Sequence, residues 1–503
     1  MEQEIERSVE DLCRDFVGHK AKRSVAEPNE PVDRLVSPHM SRRAVVWFRH
    51  DLRLVDNPAW NWASEWADEV LPVVIVEPSL MALGKHRVQA FAAAIASLQD
   101  ELATRNASLL LIEGPTSTAV GKLIDQVDAL AFNESVGPWG RARDAEVRAL
   151  VASQSHCRLA TFWGSLVCEP GTVLTAKGTL SQVFTPFWKK WQHTPQRDSP
   201  AEGHAEISMA EPKDLGLQQA RVTEERCGSL PIHRDDIAAN FARWNDDIER
   251  YDEERDHPGR DGTSRLSAAL RLGTVSPLEI LDHFGAHTPG RLSFSRQLSW
   301  RDWWAHTMLQ HQDLALRPLR SNYDAIVWRD HPTEIEAWKH GRTGFPIVDA
   351  GMRQLAETGW MHNRVRMITA SFLVKDLLVD WRIGERWFAQ QLADYDAAQN
   401  AGNWQWIAGT GPDAAPYFRI FNPTSQGLTH DPDGEYVRRW VPELAGLDAT
   451  LIHEPSKAAP LDLAAQGIVL GDDYPYPIVD HRQARLRTLE AYGATRARSA
   501  NED

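Results

Sequence analysis

Residues 394–423, DYDAAQNAGNWQWIAGTGPDAAPYFRIFNP, have the composition of a binding site rather than of a core. Two carboxylates (Asp394, Asp396), an amide (Asn400) and two indoles (Trp404, Trp406) fall within thirteen residues, followed by a Gly-Thr-Gly turn and Arg419-Ile420-Phe421-Asn422-Pro423. A helix through Ala401 places Asp396 and Asn400 one turn apart, facing one ligand. Outward from this block, apolar residues recur at three and four positions from Ile232 almost to the end, with few β-rich runs. That period predicts an all-helical domain over 232–495 and a short tail over 496–503.

Toward the N-terminus the pattern changes. Runs at 44–48, 70–76, 108–112 and 129–132 alternate with helical stretches such as 88–105. The alternation predicts an α/β domain over 43–165, a parallel, five-stranded doubly wound sheet with helices on both faces. Such sheets hold nucleotide-like ligands beyond their strand ends. Residues 166–231 read as a connector, with Val183-Phe184-Thr185-Pro186-Phe187-Trp188 and then a stretch rich in Pro, Asp and Glu that opposes a continuous helix. Residues 1–42 read as a disordered arm or a mis-assigned start, with Met40 directly before the first strand as the natural beginning.

At 503 residues, 42% hydrophobic and 25% charged, the chain can build two or three domains with substantial cores. Four Cys without CxxC spacing argue against a disulfide framework or a zinc site and suit a reducing cytoplasm. No metal ligand set is expected. The longest apolar runs are too short to span a membrane, and the first forty residues lack a signal-peptide centre. A net charge of -15 opposes a polyanionic partner only globally, because affinity depends on cations at the footprint. Arg301, Arg353, Arg364, Arg366, Lys375, Arg382 and Arg438-Arg439 supply local positive charge, although a solvated helix face would read the same way. Gln297, Trp300, Arg301 and Trp304 stand at i, i+3, i+4 and i+7, which predicts one helix face carrying an amide, a cation and two indoles.

Taken together, several segments resemble the photolyase/cryptochrome family, most of all its bacterial class I enzymes that repair cyclobutane pyrimidine dimers. They are the 394–423 block, Val45-Val46-Trp47-Phe48-Arg49-His50-Asp51-Leu52-Arg53 with Asp56-Asn57-Pro58, Gly262-Thr263-Ser264-Arg265-Leu266-Ser267, and Trp360-Met361-His362-Asn363-Arg364-Val365-Arg366-Met367. The resemblance runs from about Arg43 to about Tyr492. It implies a light-driven carbon-carbon lyase with FAD as cofactor, acting on UV-damaged DNA as a monomer in the cytoplasm, without membrane association.

The resemblance also implies roles for particular residues. Tyr251, Thr263, Ser264, Arg265, Leu266, Ser267, Arg301, Asp394, Tyr395, Asp396 and Asn400 would hold FAD, with the neutral Asn400 amide beside a fully reduced flavin. A glycine-led turn bearing hydroxyls and a cation, as at 262–267, is suited to a pyrophosphate. Trp328, Trp381 and Trp404 would pass an electron inward from the surface. Arg255, Gln297, Trp300, Trp304, Asn363, Arg364, Met367 and Trp406 would bind DNA and the extruded lesion, with Trp300 and Trp406 as its aromatic walls. Gln297 stands where dimer-repairing relatives carry Glu, a feature shared with enzymes that repair (6-4) photoproducts. Asp302 replaces Glu after Trp-Arg, and Tyr395 replaces a small residue. The 137–144 segment lacks the carboxylate typical of pterin-binding relatives, so the second chromophore stays open among deazaflavin, flavin, methenyltetrahydrofolate and none. A (6-4) photolyase and a cryptochrome-like photoreceptor are the alternative readings.

Overall fold

The computed structural model describes residues 41–81, 84–222 and 230–499, so the arm expected over 1–42 lies almost wholly outside the described residues. Six parallel strands form one sheet: β1 (Arg43–Phe48), β2 (Glu69–Val76), β3 (Leu110–Glu113), β4 (Ala129–Asn133), β5 (Arg158–Phe162) and β6 (Glu206–Ile207). The main order is β3-β2-β1-β4-β5, and β6 pairs with the start of β2. Period-two side chains divide the sheet between two cores. Ala44, Val46 and Phe48 of β1 pack with Trp60 and Leu98 on one face, and Val45 and Trp47 pack with Val120 and Val147 on the other. Doubly wound α/β architecture is thus present as expected, with β6 supplied by the region read as a connector.

The strand order reverses between β1 and β4, leaving a crevice beyond their C-terminal ends. His50 follows β1 and Ser135 follows β4 there. The helical half closes this crevice from the other side. Its central helix, Pro289–Gln310, starts with Thr288 accepting from the Arg291 amide and with Pro at its first position. Fourteen of its residues are buried, spread around its circumference, so it shows no single apolar stripe. The last helix, His481–Ser499, continues through the boundary drawn at 495. Among the described residues no helix is long and apolar enough to cross a membrane.

Two glycines set the packing around the 394–423 block. A Cβ at Gly402 would lie 2.3 Å from the Trp304 ring, and one at Gly384 would lie 2.1 Å from Trp404. These contacts explain why helix Ala397–Ala408 approaches both Pro289–Gln310 and Trp381–Gln391 so closely.

Candidate functional site

Asp396 caps helix Ala397–Ala408 by accepting from the Ala398 and Gln399 amides at 2.9 and 3.1 Å. One turn on, Asn400 points from the same helix into a cavity of about 320 Å3. Gln297, Trp300 and Trp304 from the central helix, Asn363 and Met367, and Asp394, Asp396, Trp404 and Trp406 line the same space. Trp300 and Trp406 are half-buried around it, whereas Trp304 and Trp404 are buried. Ten of the residues singled out from sequence therefore converge on one cavity.

Inside it, a buried carboxylate is only half satisfied. The Asp394 carboxylate is 2% exposed, and its Oδ2 accepts from Arg366 Nη2 at 2.8 Å. Its other oxygen, Oδ1, is buried with no hydrogen-bond partner. A buried acceptor in that condition wants a donor from a ligand. The Asn400 amide nitrogen donates to the Glu385 carbonyl at 3.0 Å and to Glu385 Oε1 at 2.9 Å. That commitment leaves the amide oxygen as the group Asn400 can offer elsewhere. Burial pushes the Glu385 carboxyl above its ordinary range, partly offset by the Asn400 hydrogen bond. Gln297 turns its nitrogen back to the Ser293 carbonyl at 3.3 Å.

Other expected residues lie off this cavity. Arg301 does not share the face of Gln297, Trp300 and Trp304. Its half-buried side chain points elsewhere, bonded to the carbonyls of Ser165 and Leu270. Because that helix is buried all round, its i+4 position can serve a different neighbour from i+3 and i+7. Tyr395 does not line this cavity either. Its ring packs under the Arg87 guanidinium at 4.6 Å, outside the first cavity. Arg364 is engaged with Asp256, Nη2 to Oδ2 at 2.7 Å. Arg255 lies within electrostatic reach of Arg296 and Tyr251. Tyr251 is buried against Trp244 and Phe294, and burial pushes its hydroxyl up to about 12.

The 262–267 turn stands beside the Trp360 end of the site and lines neither cavity. Arg265 takes a left-handed conformation at φ 54°, pairs with Asp261 at 2.9 Å, and lies 5.4 Å from the Trp360 ring. Its Nε is buried and unpartnered. Ser264 is buried, Thr263 half-buried and Ser267 exposed, and Leu266 is the N-cap of Ser267–Leu272.

A second cavity, about 420 Å3, occupies the crevice at the strand-order reversal. His50, Arg143, Arg271, Arg301 and Tyr395 line it, together with residues 137–140. Asp396 and Gln399 line both cavities and so form the partition between them. Burial, reinforced by Arg49, Arg271 and Arg143, holds His50 well below its ordinary pKa. Burial and neighbouring Arg49 lower Arg143 to about 9. This cluster of cations suits an anionic aromatic ligand.

Indoles grade inward along the other side. Trp328 is half-buried, Trp381 is 1% exposed and Trp404 is 3% exposed. Phe388 packs edge-on to Trp404 at 5.1 Å, and Trp338 does so at 6.3 Å. Sequence reading missed Glu385, the Arg366 pairing, Gln399 as partition and Asp302 as an anchor. Asp302 is fully buried and accepts from the Val167 and Cys168 amides and from Trp191 Nε1 at 2.9 Å. The Trp-rich Trp188-to-Trp191 stretch was the one available sign that this region packs rather than links.

An α/β sheet with a cationic crevice, joined to a helical domain with an indole-walled cavity, defines a two-domain protein with adjoining ligand sites. Family models match both halves: "FAD binding domain of DNA photolyase" over residues 294–494, and "DNA photolyase" over residues 44–205. The chain belongs to the DNA photolyase family. It is 38% identical over 480 residues to the deoxyribodipyrimidine photo-lyase of Agrobacterium fabrum, covering 90% of this chain and 98% of that protein. The crystal structure of a bacterial class III photolyase from Agrobacterium tumefaciens superposes with a TM-score of 0.82 at 36% identity, covering 92% of this chain and 100% of the other. An archaeal photolyase from Sulfolobus tokodaii with two FAD molecules gives 0.76 at 30% identity, covering 90% and 100%. The helical domain is therefore an FAD-binding domain. The unpartnered Asp394 Oδ1 fits that cofactor, whose ring edge carries a donor.

Proposed function

We propose that this protein is a deoxyribodipyrimidine photo-lyase that splits cyclobutane pyrimidine dimers in DNA under light. The observation that carries the reading is the single cavity with Trp300 and Trp406 at its walls and Asp394, Asp396 and Asn400 beside them. Bound FAD supplies the light-absorbing, one-electron chemistry. The chain's own groups bind, orient and exclude water. Asp394 and Asp396 accept hydrogen bonds from the cofactor, and Asn400 presents a neutral amide whose orientation Glu385 fixes. The 262–267 turn and Tyr251 hold the part of the cofactor away from the lesion.

An extruded dimer stacks on Trp300 and Trp406, which offsets the cost of leaving the helix. Asn363 and Met367 floor the pocket, Trp304 backs it, and Gln297 donates to a pyrimidine carbonyl after giving up its weak bond to Ser293. Arg255 and Arg364 contact the strand near the lesion. Trp328, Trp381 and Trp404 form a relay between solvent and the cavity. The second cavity takes an anionic chromophore, held by Arg143 and Arg271.

The deciding experiment illuminates reduced, flavin-loaded protein with oligonucleotides bearing either a cyclobutane dimer or a (6-4) photoproduct and scores restored thymines. Repair of the cyclobutane substrate alone is expected. The Gln297 amide favours the (6-4) alternative, and repair of that lesion alone would transfer the assignment. Binding without repair of either would assign a photoreceptor.

A further inference from the structure

The Val183-to-Trp188 motif sits in the region expected to be a connector, yet it reaches the lesion pocket from behind. Phe184 opens helix Phe184–Trp191 and is 1% exposed. Its ring lies face to face with Trp300, centroids 3.6 Å apart and planes 12° apart, and meets Trp303 edge-on at 5.9 Å. Trp300 lines the cavity and Phe184 does not, so Phe184 backs the indole on the side away from the cavity. The Arg296 guanidinium lies 5.4 Å from the Phe184 ring.

Both ends of this short helix are pinned. At its start the Phe184 amide donates to Asp413 Oδ2 at 3.1 Å. At its end Trp191 Nε1 donates to Asp302, two residues from Trp300. Asp413 has a left-handed backbone, φ 46°, in the loop leaving the helix that carries Trp406. That loop returns to Trp406, whose carbonyl accepts from the Gly409 amide at 3.3 Å and the Ala415 amide at 3.2 Å. One chain of contacts therefore runs from Trp300 through Phe184 and Asp413 to Trp406.

We propose that Phe184 and Asp413 are positioning residues that fix the plane of Trp300 and its gap to Trp406, so that the two walls are set for a dimer before DNA arrives. The proposal rests on the reading of Trp300 and Trp406 as lesion walls. A pre-set gap raises affinity by removing ordering cost from the binding step. An undamaged strand, which does not enter the cavity, gains nothing from it.

The test measures affinity of flavin-loaded protein for cyclobutane-dimer DNA and for the undamaged sequence, with flavin content and thermal midpoint recorded for every variant. Phe184→Leu keeps much of the volume but removes the flat backing. It is expected to weaken dimer binding by about tenfold, on the scale of one aromatic pair, with affinity for undamaged DNA and flavin content unchanged and the midpoint lowered by only a few degrees. Phe184→Tyr restores the dimer preference. Asp413→Ala reproduces part of the loss and Asp413→Asn, which keeps an acceptor, does not. Trp300→Ala is the control for the underlying reading. If it retains dimer preference, the wall assignment itself fails; if it loses preference while Phe184→Leu keeps it, the clamp is overturned. A Phe184→Leu protein that binds both DNAs equally weakly would also overturn it, by making the role structural.

Discussion

Asp394→Asn separates the two duties of the most buried carboxylate in the site. Its Oδ2 accepts from Arg366 at 2.8 Å, and its Oδ1 is buried without a partner. Breaking a buried ion pair outright costs about 3–5 kcal/mol. Here the cost is smaller, because Arg366 is 25% exposed, also donates to the Met361 carbonyl at 2.8 Å, and can still use the Asn oxygen. A charge-assisted bond becoming a neutral one points to a loss of about 1–2 kcal/mol from the apoprotein. Cofactor binding should suffer more. Asn has one acceptor and one donor, so whichever way the amide turns, a donor faces either Arg366 or the cofactor's donor. Leaving such groups unpaired in a dry site costs about 2–3 kcal/mol, roughly 30- to 150-fold in affinity. FAD titration of apoprotein, read by flavin fluorescence, gives the affinity, and urea denaturation gives the stability. Arg366→Met supplies the converse case, with lower stability but the Oδ1 contact retained. Wild-type FAD affinity in Asp394→Asn would refute the reasoning, whatever the stability.

Gly384→Ala should destabilise the protein by about 1–3 kcal/mol, because its Cβ would stand 2.1 Å from Trp404; an unchanged urea midpoint would show that the helices simply part. Trp381→Phe should slow photoreduction of oxidised protein while leaving dimer repair by pre-reduced protein intact, and equal loss of both would remove the relay. Gln297→Glu should maintain or raise cyclobutane repair, and a large fall in yield would show that the amide is required. Burial holds His362 down to about 3, so the folded protein keeps it neutral with Nδ1 accepting from the Arg364 amide. Unfolded His titrates near its ordinary 6.5, so this contribution is complete above that value and is lost as pH falls toward 3. His362→Asn, which preserves the cap, should flatten the stability–pH curve between about pH 6 and 4 by nearly one proton. An unaltered slope would contradict that assignment.

What could be read in advance was whatever a short segment determines by itself. The alternation Ala44, Val45, Val46, Trp47 feeds two cores and announces a sheet buried on both faces. Asp396 and Asn400 are one helical turn apart, so their shared cavity follows once the helix is granted. β5 was obscured by its partial exposure and β6 by its length of two residues. Pairings across the fold left no local trace: Glu385 reaches Asn400 from another helix, and Phe184 meets Trp300 across the domain junction. Tyr395 misled because residues beside it in sequence line the cavity, although adjacent side chains outside a helix can diverge to opposite sides. Arg301 misled for a different reason, since a helix buried all round has no outward face to set the phase.

On the proposed function, the same geometry reconciles a net charge of -15 with anionic ligands. The chain's cations are concentrated locally, with Arg143 and Arg271 around the second cavity, while Arg366 neutralises Asp394 in the first. Helix Ala397–Ala408 is the shared element. Its cap residue Asp396 and Gln399 divide the two cavities, Asn400 and Trp404 face the first, and Trp406 walls it. Gly402 admits Trp304, and the loop beyond the helix carries Asp413 to Phe184. On the proposed function, a shift of about 1 Å in this helix would therefore disturb cofactor contact, lesion stacking and the partition together, the scale on which misplacement degrades catalysis. On that reading, the close packing at Gly384 and Gly402 is a functional requirement as well as a structural one.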